Sequence, residues 1–118
     1  MRALLDPSAL TPAATAALAR FHPATVQQAQ QAILAHEWVI IGMAHNPFVK
    51  KARKLLDTAA TPHHYVEHGN YFSQWKPRLA IKLWSGWPTF PQVFHNGKLV
   101  GGASELAAYL ANTRTNAA

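Results

Sequence analysis

The clearest hydrophobic signal in the chain is a short unbroken run, Trp38-Val39-Ile40-Ile41, closed by Gly42. An uninterrupted apolar stretch of this length, rich in β-branched residues, predicts a central strand buried on both faces. The period then changes. Phe48, Ala52, Leu55 and Leu56 recur at i, i+4, i+7 and i+8, the buried stripe of a helix that starts near Pro47. His64-Tyr65-Val66-Glu67 predicts a second strand. A further helix is expected from about Tyr71 to Trp84, with Pro77 permitting only an interruption or a late start. Phe90 to His95 and Lys98 to Val100 read as two strands joined by Asn96-Gly97, a strong hairpin signal. Gly101-Gly102 opens a last helix, Ser104 to about Asn112. Ahead of all this, Thr11-Pro12 predicts an N-cap and first position of an Ala-rich helix ending near Arg20, broken by His22-Pro23. A second helix is expected from Thr25, with Thr25 and Gln28 as a capping box and Val26, Ala29, Ile33 and Leu34 at helical spacing.

Helices, then strand–helix–strand, a helix, a hairpin and a last helix make an α/β chain. The strand–helix–strand unit implies parallel pairing and the hairpin adds antiparallel strands. A mixed four-stranded sheet with helices on both faces packs this order most simply. The expected organisation is an N-terminal helical extension over 1–35, a main domain over 36–112 and a flexible polar tail over 113–118.

Composition narrows the picture. The chain has 118 residues, 49% of them apolar and 14% charged, which describes one folded domain. No apolar run approaches the roughly 20 residues of a membrane helix. Asp6 and Pro7 interrupt the start before a secretory segment could form, so a cytoplasmic protein is the default expectation. An Ala-rich, acid-poor beginning leaves an organellar transit peptide open. The net charge of +6 favours acidic partners, yet the cations are dispersed except at Lys50, Lys51, Arg53 and Lys54. That run reads as the solvated face of an amphipathic helix, or as an anion- or partner-docking patch. No aromatic-basic interleaving suggests a nucleic-acid channel, and neither nucleic acid nor membrane is an expected partner. The cysteine count is zero. Disulfides, thiolate nucleophiles and cysteine-ligated zinc or iron–sulfur sites are excluded for this chain alone.

One stretch is specific enough to carry a resemblance. Trp87-Pro88-Thr89-Phe90-Pro91-Gln92, followed by Asn96-Gly97-Lys98-Leu99-Val100-Gly101-Gly102, closely resembles the glutaredoxins, above all the monothiol class. The similarity covers about residues 38 to 110. It implies a thioredoxin-like three-layer sandwich, here with an extra N-terminal helical segment. It also implies a groove for glutathione or an extended peptide, formed by Arg78, Thr89, Phe90, Pro91, Gly101, Gly102 and Ser104. In the family the proline matching Pro91 follows a cis bond, beside backbone free to pair with an extended ligand. Glycines let backbone approach a ligand at a helix N-terminus, and an arginine fork suits a carboxylate.

The departures from the family pattern bear on chemistry. Asn46-Pro47-Phe48-Val49 stands where the family carries its cysteine motif, so Asn46 occupies the nucleophile position and Val49 the second. Met43 stands where a lysine usually helps hold thiolate and glutathione, which predicts weakened binding. The family's acidic residue after Gly-Gly is matched by Ser104, with Glu105 next to it. Asn is among the best N-caps and proline is favoured immediately after it, so Asn46-Pro47 has a complete structural reading without catalysis. Without a thiolate, a [2Fe–2S] cluster loses its ligand, and His45 is the neighbouring imidazole that could replace it. His63, His64 and His68 are candidate metal ligands, although adjacent strand residues point to opposite faces. Trp84 and Trp87 are expected to pack against the Pro91 loop. The expected function is a redox-inactive binding module whose ligand is glutathione or an extended peptide, with no catalytic residue and no metal. The alternatives are a disulfide oxidoreductase assigned by fold, and an accessory factor in iron–sulfur or redox homeostasis that docks through its helices.

Overall fold

A computed structural model describes the backbone of residues 4–117 and the side chains of residues 4–113. The expectations for Met1 to Ala3 and for Ala118 lie outside the described residues.

β1 (Trp38–Gly42) is the centre of the molecule. It pairs in parallel with β2 (His64–Glu67), placing Ile40 beside Tyr65, and antiparallel with β3 (Gln92–His95), placing Ile40 beside Val93. β4 (Lys98–Gly101) completes a mixed four-stranded sheet of order β2-β1-β3-β4, with a register shift at Val93/Phe94. Asn96 and Gly97 join β3 to β4 with φ values of 51° and 80°, the two positive angles that a type I′ turn demands.

Alternation along β1 assigns each face its own core. Val39 and Ile41, with Phe94 and Val66, pack against Ala29 and Ala32 of α2 (Pro23–Ala35) and Ile81 of α4 (Trp75–Ser85). Trp38 and Ile40, with Val93, pack against Ala52 and Leu56 of α3 (Pro47–Thr58) and Leu106 of α5 (Ala103–Ala117). The chain therefore adopts the thioredoxin-like sandwich, helices on both sides of a mixed sheet. α1 (Pro12–Ala19) buries none of its residues, whereas α2 supplies part of one outer layer. Among the described residues no helix is long and apolar enough to cross a membrane.

Several boundaries differ from the sequence expectation, each for a local reason. α2 begins at Pro23, not Thr25, and no capping box forms; its N-cap is His22, left-handed at φ 47° with no side-chain cap bond. Proline at the first position supplies helical φ and lacks only an N–H that would have been unpaired anyway. α4 begins at Trp75 because Asn70 Oδ1 accepts from Phe72 N at 2.8 Å, folding 70–73 into a turn. Pro77 then falls in the first turn, where it breaks no helical bond. The α3 stripe is Val49, Ala52 and Leu56, and Phe48 is exposed. Val49 takes the inward position because Gly42 leaves room for it: a Cβ there would lie 2.8 Å from Val49 Cγ1. β3 starts at Gln92, after a cis Phe90–Pro91 bond. α5 runs through Ala117 rather than stopping near Asn112.

Ile40 is fully buried at the centre of the second core. Ile40→Ala is expected to lower unfolding free energy by about 3 kcal/mol through lost burial and a residual cavity, read from the urea midpoint at unchanged slope.

Candidate functional site

The C-terminal end of β1 turns outward through Met43 and Ala44, and three chain breaks converge there. The start of α3, the turn before β3 and the start of α5 surround a cleft of about 530 Å³. That volume lies in the range of small-molecule sites. α3 and α5 both open onto it by their N-terminal ends, where Pro47 and Ala103 line the wall. Unpaired amides and aligned peptide dipoles make such ends favourable to anions.

Asn46, immediately before α3, is buried and committed to structure. Its Oδ1 accepts from Phe48 N at 2.9 Å and Val49 N at 3.0 Å, satisfying two free amides of α3. A cap of this kind contributes about 1 kcal/mol. An amide carries no nucleophilic electron pair comparable to a thiolate, so Asn46 supplies the helix cap and no nucleophile at this position. Beside it Met43 is buried and presents a thioether to the cleft. Val49 points the other way, into the core.

The opposite wall is cationic. Arg78 lines the cleft but is only 8% exposed, and its Nη1 donates to the carbonyls of His68, at 3.0 Å, and Ser73. The guanidinium thereby fastens the 68–74 loop to α4. Lys82, one turn further along the same face, is half-buried on the cleft with Nζ 5.6 Å from the Phe90 ring centroid. Lys82 was missed in the sequence reading; its i+4 spacing from Arg78 was the available signal.

Thr89, Phe90, Pro91, Gly102 and Ser104 also line the cleft. The ladder between β1 and β3 ends at the Ile41–Gln92 pair, so Phe90 lies beyond it. Gly101 is a different case. It does not line the cleft; at φ 128° it sits beneath Glu105 and Trp87, and a Cβ would come within 2.7 Å of Glu105 Cβ. Glu105 turns back to accept from Gly102 N at 3.0 Å, the return bond of a capping box. It places one carboxylate on the cleft's rim.

The other candidates stand apart. His45 is exposed, left-handed at φ 61°. His63 lies 3.9 Å from Asp57, and the His64 ring stacks on His36 with centroids 4.1 Å apart. Among the described residues no group of three or more His, Cys, Asp or Glu could hold a metal ion. Trp84 packs on the core cluster that holds Phe90 and Phe94, its ring centroid 5.9 Å from that of Phe94. Trp87 abuts Gly101 and its carbonyl accepts from Gln92 Nε2 at 3.0 Å. The basic run of α3 is exposed, with Arg53 stacked 4.1 Å over the Tyr65 ring.

No family model matches the chain. Over 85 residues it is 40% identical to a glutaredoxin-like protein of Dictyostelium discoideum, covering 72% of this chain and 69% of that protein. The chain belongs to the glutaredoxin family. A second relative, the zebrafish (Danio rerio) mitochondrial glutaredoxin-related protein 5, is 59% identical over 29 residues, 25% of this chain and 19% of that protein. Among solved structures, the buckwheat glutaredoxin–glutathione complex superposes with a TM-score of 0.67 at 21% identity, over 77% of this chain and 83% of that one. The likeness is one of fold. The chain has no cysteine, and hence no thiol to exchange.

His68, next to the Arg78 clamp, is buried with Nε2 unpartnered among the described residues. Burial holds its pKa below the usual 6.5; a Gln74 contact opposes this and the Arg78 charge reinforces it. The folded state thus resists a proton that the unfolded chain accepts. Stability is fully present above about pH 6.5 and falls as pH drops through the folded-state value. His68→Asn is expected to flatten that part of the stability–pH curve relative to the parent chain, measured by urea unfolding at stepped pH.

Proposed function

We propose that this glutaredoxin is a redox-inactive binding module whose cleft takes glutathione or an extended segment of a partner protein. The observation that carries the reading is Asn46. The position that would hold the nucleophile is filled by a residue bonded to two helix amides, while the cleft around it stays open. The lost sulfur has been replaced by a helix cap, and the ligand-facing groups on the other walls persist. Two helix N-termini, Lys82 and the partly committed Arg78 favour an anionic ligand; Phe90, beyond the last ladder pair, offers backbone to an extended one. Glutathione meets both conditions, being a short peptide with two carboxylates. The buckwheat glutaredoxin, similar in fold, forms a complex with it. Met43 and the Glu105 carboxylate weaken the attraction on the remaining sides.

Titrating reduced glutathione into labelled protein is expected to shift the backbone amides of Phe90, Gly102 and Ser104 at millimolar ligand. Lys82→Ala is expected to weaken binding about tenfold, the loss of one charge-assisted bond. Unmoved amides at these positions would refute the cleft as a glutathione site.

A further inference from the structure

The cleft does not end at its own rim. Four large aromatic side chains stand in solvent on the elements that carry its lining: Phe48 is 61% exposed, Tyr71 58%, Phe72 97% and Trp75 60%. Phe48 and Tyr71 line the cleft itself, and Phe72 and Trp75 continue from Tyr71 into the first residue of α4. Exposed aromatic residues are the usual anchors of protein recognition. The cleft's own lining carries two cations, Arg78 and Lys82, against the single carboxylate of Glu105. Lys76 Nζ lies 5.5 Å from the Trp75 ring centroid. Free glutathione has no apolar side chain large enough to engage such a rim, so the rim is surplus to that ligand.

We propose that the aromatic rim and the cleft together form one docking surface for an extended, acidic segment of a partner protein that carries large apolar side chains. This deepens the cleft reading and rests on it. An extended strand alternates its side chains. Its acidic residues meet Lys76, Lys82 and the helix N-termini, its apolar ones lie on Phe48, Tyr71, Phe72 and Trp75, and its backbone reaches Phe90. A concave cleft lined by Thr89 and Phe90 fits a strand better than it fits a flat lipid surface.

The test uses a short fluorescein-labelled peptide in which glutamate alternates with phenylalanine, against versions with lysine for glutamate and alanine for phenylalanine. The full chain is titrated alongside its Phe72→Ser/Trp75→Ser variant, neither position lining the cleft. Circular dichroism confirms that the variant is folded. The parent peptide is expected to shift the amides of Tyr71, Phe72 and Trp75 together with Phe90. The double variant is expected to bind it about tenfold more weakly, the loss typical of aromatic anchors, while glutathione shifts at Phe90 and Gly102 stay as in the parent chain. Both altered peptides are expected to bind more weakly than the first. Equal affinity of the variant overturns the rim proposal and leaves the cleft reading standing, as does a silent peptide beside an active glutathione titration. Silence from both ligands overturns the two together. Binding to phosphatidylserine vesicles through Phe72 and Trp75, without competition from the peptide, overturns the proposal in favour of a membrane surface.

Discussion

The first turn of α3 is held against the end of β1 by the fit of Val49 at Gly42 and closed by its own Asn46 cap, and the rest of the site depends on both. Val49 enters the space that Gly42 leaves open, while Asn46 ties the helix start by accepting from two amides. Together they fix where the helix axis meets the sheet. The orientation of Phe48, the depth of the cleft and the aim of the α3 dipole follow. An alanine at Gly42 would crowd Val49 from below, and an uncapped Asn46 would leave buried amides unpaired. Asn46 thus serves the architecture of the helix start.

Charge in the cleft is arranged asymmetrically. Helix ends and Lys82 attract anions on two sides; Met43 is neutral and Glu105 repels them on the others. Arg78, the most obvious cation in the sequence, spends its Nη1 on the His68 and Ser73 carbonyls and so acts first as a clamp on the loop that carries Tyr71 and Phe72. Removing it would be expected to disturb both the loop and the ligand wall. Lys82 is the cleaner probe of charge.

Much of this was legible in the sequence, and the limits were local. The run Trp38–Ile41 named the central strand because continuous apolarity has few other uses in a chain this short, and Asn96-Gly97 named the hairpin through its left-handed angles. Asn46-Pro47 announced its own cap. Phe48 was misassigned to the core because periodicity cannot tell which of two neighbouring apolar residues faces inward; Gly42, a residue on another element, decides for Val49. The late start of α4 depended on the Asn70 turn, and the role of Gly101 on its contact with Glu105 and Trp87, neither visible before the chain is folded. The aromatic rim escaped because exposure, not residue type, is what makes Phe72 and Trp75 unusual.

We propose that one missing sulfur separates this chain from thiol exchange and that the surrounding cleft remains competent. Asn46→Cys tests this most directly, by following the exchange of the introduced thiolate with glutathione disulfide, which forms the protein–glutathione mixed disulfide and releases one glutathione thiolate. The helix N-terminus and Lys82 are expected to lower the thiol pKa below the ordinary value of about 8.5, and the mixed disulfide is expected to accumulate and shift the amides of Phe90 and Gly102. A thiol with ordinary pKa whose mixed disulfide leaves those amides unmoved would contradict the account.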